Sequence, residues 1–376
     1  MEVSRPLRVL EFYSGIGGMR YALEQAEVGA TVVEAFEIND MANDVYEHNF
    51  NHRPSQGNIQ HLTVRKLDSY EADAWLLSPP CQPYTRQGMQ KDAEDSRAAS
   101  FLKLLEMLPF LTRPPSYLFV ENVVGFESSV SCGILTKTLK KSDFSIQEFI
   151  LTPLQFGIPY SRPRYFCLAK RRPFYFLHPE LDDQLTYNPV PSACSFIQNH
   201  DPVCKVIQVY LEEDEQCAGK GGLDNAHVKK TRVKDGIEGE VGHESFMVPN
   251  SLIDRWGDAF DVVTPYSNKC CCFTKSYGRF VKGTGSFLAT HPETEHVLEQ
   301  LDVGKTPPDA TKSKESLKEL RLRYFTPREI ANLHSFPKAF DFPDHITTKQ
   351  RYALLGNSLS VAVVASLLRY LFHNRR

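Results

Sequence analysis

The chain has 376 residues, 41% hydrophobic and 24% charged, with a formal net charge of −3. That composition is ordinary for a globular protein of one large domain or two unequal ones, and no apolar run approaches the ~20 residues of a bilayer span, so no membrane partner is expected. The charge argues against a protein that is basic all over, but leaves room for a local basic face that binds nucleic acid.

Residues 1–8 are polar and lead directly into a strand-like run, so no secretion signal is expected. The first 170 residues then alternate between strand and helix patterns. Leu7–Phe12 is an apolar run that ends in glycine-rich sequence, and 19–26 reads as a helix. Residues 32–37 form a second strand and 40–49 a second helix, with Asp40 as its N-cap. Strand 74–78 is stopped by two prolines; helix 98–110, strand 117–121, helix 133–141 and strands 145–151 and 164–170 follow. Such alternation predicts an α/β fold with a mostly parallel sheet covered on both faces.

The pattern weakens after residue 172. Residues 179–250 carry prolines, glycines and the acidic run 212–215, and long, mobile loops are expected there. Periodicity returns at 324–333, where Thr326, Pro327 and Glu329 supply an N-cap, an N1 proline and an N3 acid. The segment 360–372 is a strongly apolar helix. Nine cysteines, an odd number without disulfide-framework or zinc-knuckle spacing, point to a reducing compartment, cytoplasmic or nuclear, and to no metal.

Chemistry-bearing residues gather where strands end. Tyr13, Ser14, Gly15, Ile16, Gly17 and Gly18 join the first strand to the first helix, and the glycines let backbone approach a ligand. Glu37 ends the second strand, about 20 positions on, where a carboxylate can hold a ribose diol. A nicotinamide dinucleotide fold is the competing reading, but Tyr21 stands where its third glycine would fall. After the third strand comes Ser78-Pro79-Pro80-Cys81-Gln82. A lone cysteine is usually a small buried hydrophobe; between prolines, in a polar loop on the ligand side, Cys81 reads as a nucleophile. Glu121 is either a solvated edge carboxylate or a general acid. Arg162 and Arg164, two apart, lie on one side of an extended segment, as a salt-bridged edge or as anion-stabilising groups.

Gly-x-Gly-Gly, Pro-Pro-Cys-Gln, Glu-Asn-Val, Arg-x-Arg and Gly356-Asn357-Ser358 occur in the order seen in cytosine carbon-5 methyltransferases, and over residues 7–170 and 323–372 the chain resembles that family. The resemblance implies a Rossmann-like catalytic domain, 1–178 with 351–376, and a smaller target-recognition domain, 179–350. It implies S-adenosylmethionine as methyl donor, leaving S-adenosylhomocysteine. Tyr13 and Ile38 would then pack on adenine, Glu37 take the ribose, Asn58 and Ile59 flank the adenine, and Ser78, Asn357 and Ser358 border the methionine part. Cys81 would add to carbon 6 of cytosine. Glu121 would donate to ring nitrogen 3, Arg164 contact the base carbonyl, and Arg162 steady Glu121. The family pattern begins the arginine run with glutamine, where this chain has Tyr160, and many members have Asp in place of Asn58.

Lys275, Arg279 and Lys282, interleaved with Phe273, Tyr277 and Phe280, suit a single-stranded nucleic acid, although an ordinary twisted hairpin has the same look. Cys272-Phe273-Thr274 and the compact chain look like the DNA-methyltransferase homologues that methylate the anticodon loop of aspartate tRNA; a DNA methyltransferase is the alternative. A non-catalytic nucleic-acid-binding protein would have no need of intact Cys81, Glu121 and Arg164.

Overall fold

A computed structural model describes residues 5–80, 98–190, 203–212, 243–291 and 310–373, without the side chains of 243 and 310–313. In chain order the strands are β1 (Leu7–Phe12), β2 (Ala30–Phe36), β3 (Ala74–Leu77), β4 (Tyr117–Val123), β5 (Phe144–Leu151), β6 (Arg164–Arg171), β7 (Leu185–Thr186), β8 (Val262–Val263), β9 (Phe287–Ala289) and β10 (Leu322–Arg323). The helices are α1 (Gly18–Gln25), α2 (Asp40–Phe50), α3 (Val64–Ser69), α4 (Ala99–Met107), α5 (Val130–Lys141), α6 (Asn250–Trp256), α7 (Ala310–Glu319), α8 (Pro327–Leu333), α9 (Thr348–Asn357) and α10 (Val361–Phe372).

Seven strands form the main sheet in the order β2-β1-β3-β4-β6-β5-β7. β1 to β4 run parallel, and β6 alone is reversed, antiparallel to both neighbours. Side chains alternate across a strand, so Val9 faces a core with α1, α2 and α10, while Leu10 and Phe12 face a second core with α3, α4 and α5. Helices thus cover both faces, as the alternating sequence predicts.

One expected detail differs. α2 is capped by Asn39, whose side chain accepts from the Met41 N–H, and Asp40 is its first helical residue. Asp40 there favours the helix N-terminus through its charge instead.

A second sheet, β10-β9-β8, shares a small core with α6 and α7 that includes Ile253, Phe287 and Leu317. β7 belongs to the main sheet, and α8 with residues 336–346 packs into the larger core. Within 179–250 the described parts hold β7, short 3-10 turns and the start of α6; the remainder, 191–202 and 213–242, lies outside the described residues.

α9 and α10 together, Thr348–Phe372, are long and apolar enough by composition to cross a membrane, but 72% of the most apolar window is buried in the protein. Ser358 to Ser360 break the segment into two helices, and α10 packs on α1 and the main sheet.

Candidate functional site

The loop after β1 is bent tightly. Tyr13, Gly15 and Gly17 all have left-handed φ values, 59°, 53° and 85°; for the non-glycine Tyr13 that conformation is costly and marks a site held in place by its surroundings. The Tyr13 hydroxyl is 2.9 Å from Ser100 Oγ on α4. The Gly15 N–H donates to Glu37 Oε2 at 3.0 Å and the Asn39 N–H to Oε1 at 2.9 Å, so Glu37 ties the loop to the end of β2 and keeps further lone pairs for a ligand. A Cβ at Gly18 would lie 3.1 Å from Ser358 Oγ and from Leu359, so the turn between α9 and α10 closes directly on the loop.

Ile38 is 69% exposed, an apolar side chain left open beside Glu37. Ser14 Oγ is buried with no hydrogen-bond partner among the described residues. An open apolar flank, a carboxylate and a spare hydroxyl fit an adenosine-type ligand. Asn58 caps a short 3-10 turn by accepting from the Gln60 N–H, while Ile16 and Ile59 are core residues. Asn357 is exposed.

The second half of the site lies at the carboxyl ends of β3 and β4. Because β6 runs antiparallel to β4, its first residue, Arg164, pairs with Val123, the last of β4. That brings Arg164 Nε to 3.5 Å from Glu121 Oε1. Ser78 Oγ donates to the other oxygen, Oε2, at 2.7 Å, so Ser78 faces the carboxyl group. Asn122, itself buried, donates from Nδ2 to the Pro79 carbonyl at 3.3 Å. This contact fixes the exit of the chain toward Cys81, and nothing in the local sequence pattern signals it. Cys81, expected as the nucleophile, lies outside the described residues.

Arg162 has other partners than expected. It is 2% exposed. Nη1 donates to Cys272 Sγ at 3.2 Å and to the Phe273 carbonyl at 3.3 Å; Nη2 donates to the Gly356 carbonyl at 3.0 Å and to the Ser358 carbonyl. The direct ion pair with Glu121 is made by Arg164; the charge of Arg162 also acts on Glu121 from the wall of the same cavity, while its guanidinium joins three distant segments of the chain. Next to it, the Tyr160 hydroxyl is 3.3 Å from His334 Nε2. His334 Nδ1 sits 2.9 Å from the Ile330 carbonyl, so Nδ1 carries the proton and Nε2 accepts from tyrosine. Burial, helped by the charges of Arg162 and Arg164, drives the His334 pKa well down, so the ring is neutral. Burial acts to raise the Cys272 thiol, but Arg162 and Arg164 outweigh it and the pKa is lowered.

Of the basic and aromatic segment 270–286, Phe273 and Tyr277 are core residues, 1% and 2% exposed, whereas Lys275, Arg279, Phe280 and Lys282 are exposed.

A glycine loop and acid at the ends of β1 and β2, a proline exit and carboxyl–arginine pair at the ends of β3 and β4, and a reversed strand beside β4 define a Rossmann-like methyltransferase. The chain matches the family model described as C-5 cytosine-specific DNA methylase over residues 7–373, and it belongs to that family. As a member it is a methyltransferase that uses S-adenosylmethionine. It is 39% identical over 389 residues to the tRNA (cytosine(38)-C(5))-methyltransferase of Bos taurus, covering 97% of this chain and 99% of that protein. It is 39% identical over 379 residues to a Dictyostelium discoideum protein named DNA (cytosine-5)-methyltransferase, covering 97% and 94%. Among solved structures it is similar to a DNMT2 variant from Spodoptera frugiperda, with a TM-score of 0.77 at 34% identity, covering 98% of this chain and 100% of that one.

Proposed function

We propose that this protein transfers a methyl group from S-adenosylmethionine to carbon 5 of a cytosine in the anticodon loop of tRNA, with aspartate tRNA as the expected substrate, through a covalent Cys81–cytosine intermediate. The observation that carries the chemistry is the Glu121 carboxyl group held between Ser78 and Arg164, beside the Pro79-Pro80 segment that precedes Cys81 in the sequence. For RNA as substrate, the support is full-length similarity to relatives named as tRNA methyltransferases in cattle, mouse and human, at 38–40% identity. A second reading, duplex DNA, is favoured by the name of the Dictyostelium relative and by the description of the family model.

Carbon 5 of cytosine is too weak a nucleophile to be methylated directly. In the proposed reaction the Cys81 thiolate adds to carbon 6, breaking the 5,6 double bond and moving electron density onto carbon 5; only the deprotonated thiol attacks. Glu121 gives a proton to ring nitrogen 3 as negative charge develops there, and Arg164 neutralises the carbonyl side. When bound, S-adenosylmethionine supplies a methyl group on a cationic sulfur, which leaves as neutral S-adenosylhomocysteine. Carbon 5 takes the methyl, then gives its proton to a water molecule as the carbon–sulfur bond to Cys81 breaks and the double bond is restored, while ring nitrogen 3 returns its proton to Glu121 and the thiolate is regenerated. The target base has to leave its stack, which costs less in an RNA loop than in a duplex. Tyr13, Glu37, Ile38 and Ser358 are assigned to the cofactor, the second sheet with α6 and α7 to target recognition, and the main sheet with its helices, β7 and α8 among them, to catalysis.

The test is methyl transfer from labelled S-adenosylmethionine to purified tRNA and to duplex DNA. Transfer to tRNA alone is expected; transfer to DNA alone would reverse the substrate reading. Cys81→Ala is expected to abolish turnover and keep cofactor affinity; loss of cofactor binding instead would make Cys81 structural.

A further inference from the structure

We propose that Phe280, with Arg279 against its ring, is a platform on which an unpaired base of the RNA stacks while a nearby cytosine occupies the Glu121 site. This inference rests on RNA being the substrate and names the element that grips its single-stranded part.

Three observations carry it. The first is exposure. The aromatics of segment 270–286 divide sharply, since Phe273, Tyr277 and Phe287 just beyond are 1–2% exposed, but Phe280 is 58% exposed. The buried rings pack against each other and against Phe325, Tyr324 and Tyr352, so the core accounts for them and not for Phe280. The Arg279 guanidinium lies 5.3 Å from the Phe280 ring centroid, an arrangement that joins a stacking face to a cation for the adjoining phosphate.

The second is charge. In a chain of net charge −3, residues 262–291 contain Lys269, Lys275, Arg279 and Lys282 and no aspartate or glutamate. All four cations are exposed. A long acid-free stretch with its cations in solvent is complementary to a polyanion.

The third is the way the segment is held. The Thr274 N–H donates to the Thr284 carbonyl at 2.9 Å, closing residues 274–284 into an arch. Within it the Phe280 N–H donates to the Ser276 carbonyl at 3.0 Å, and the Phe280 carbonyl accepts from Thr284 Oγ1 at 2.7 Å. The Phe280 backbone is therefore fixed before any base arrives, which lowers the entropic cost of stacking. The foot of the arch is gripped by Arg162 through Cys272 and Phe273, two residues along the chain from the Arg164 that pairs with Glu121. Gly278, with φ of 73°, lies against the Tyr352 ring of α9, the helix that ends at Asn357. The platform and the reacting edge are parts of one braced assembly.

The experiment compares wild-type protein with Phe280→Ala, Phe280→Leu and Phe280→Trp in steady-state methylation of full-length tRNA. Phe280→Ala should raise KM for tRNA by roughly 5- to 150-fold, the range one lost base–ring stack gives, with kcat at saturating tRNA and KM for S-adenosylmethionine close to wild type. Phe280→Leu, apolar without a π face, should be as poor as alanine, and Phe280→Trp should restore KM. Phe110→Ala, which removes another exposed ring from a different part of the chain (74% exposed), should change nothing. If wild-type protein methylates tRNA and the alanine and leucine variants keep its KM, the platform is refuted while the substrate reading stands. If leucine rescues as well as tryptophan, the contact is not stacking and the proposal fails. If wild-type protein transfers no methyl group to tRNA, the substrate reading falls and the platform with it.

Discussion

Glu121 receives a hydroxyl hydrogen bond on one oxygen and faces a guanidinium across the other. Replacing it by glutamine keeps size and shape but takes away the proton transfer proposed for it. For Glu121→Gln we expect a fall of ~10²-fold or more in the single-turnover rate, as for the loss of a general acid, with cofactor affinity unchanged. A rate within a few-fold of wild type would remove the residue from the proton transfer. At this scale the sequence makes Glu121 and Arg164 legible as residue types at strand ends, but not who touches whom. Arg162 finds Cys272 and Gly356, 110 and 194 positions away. No local period encodes contacts of that range, so two arginines two residues apart read as a matched pair when they face different partners. The misplaced N-cap is a smaller case, because Asn39 and Asp40 are both good caps and only the backbone conformation chooses between them.

At the scale of elements, apolar runs and glycine-proline punctuation mark β1 to β6 within a residue or two, because the central strands β1, β3, β4 and β6 bury residues on both faces. The reversal of β6 is hidden for the same reason, since a strand buried on both sides reads alike in either direction. Yet that reversal sets Arg164 beside Glu121. A second element-level feature hidden from pattern is the contact between α9 and the arch. A Cβ on Gly356 would sit 2.2 Å from the Lys275 nitrogen and 2.3 Å from the Thr274 carbonyl carbon, both backbone atoms that cannot rotate aside. Gly356→Ala must therefore push residues 274–275 off α9 and loosen the grip of Arg162. We expect a loss of about 1–3 kcal/mol in stability, as for overpacking elsewhere, together with most of the activity on tRNA. Gly133→Ala is the contrasting case. Gly133 is exposed in the first turn of α5, with no atom within 4 Å of the added methyl group, and alanine should stabilise there by roughly 0.5–1 kcal/mol. Denaturant unfolding of both variants checks the opposite signs; equal shifts would mean that the arch yields freely.

For the whole molecule, stability depends on a carboxyl group that the proposed chemistry does not use. Glu11 lies on β1, fully buried, on the face covered by α1, α2 and α10. Tyr46 donates to its Oε2 at 2.9 Å, while Oε1 has no hydrogen-bond partner among the described residues. Burial pushes its pKa up to about 8, against the pull of the Tyr46 hydrogen bond and the Arg20 charge. In the unfolded chain the same group titrates near 4.5. Between those two values the folded protein holds a proton that the unfolded chain has released, so rising pH favours unfolding throughout the window, by at most ~1.4 kcal/mol per pH unit for one group. Below about 4.5 both states are protonated, and the penalty reaches its full size only above about 8. Because α1 packs on α10 and both lie over the Glu11 face of the main sheet, loss of order around Glu11 loosens the two ends of the described chain together. Glu11→Gln removes the titrating group and keeps an uncharged side chain of the same length. The difference in Tm between this variant and wild type, measured from pH 5 to pH 8.5, should drift steadily in favour of the variant as pH rises, with the curves closest at the acidic end. Parallel curves across that range would mean that water or a cation reaches Glu11 and that it ionises in the folded protein as it does in the unfolded chain.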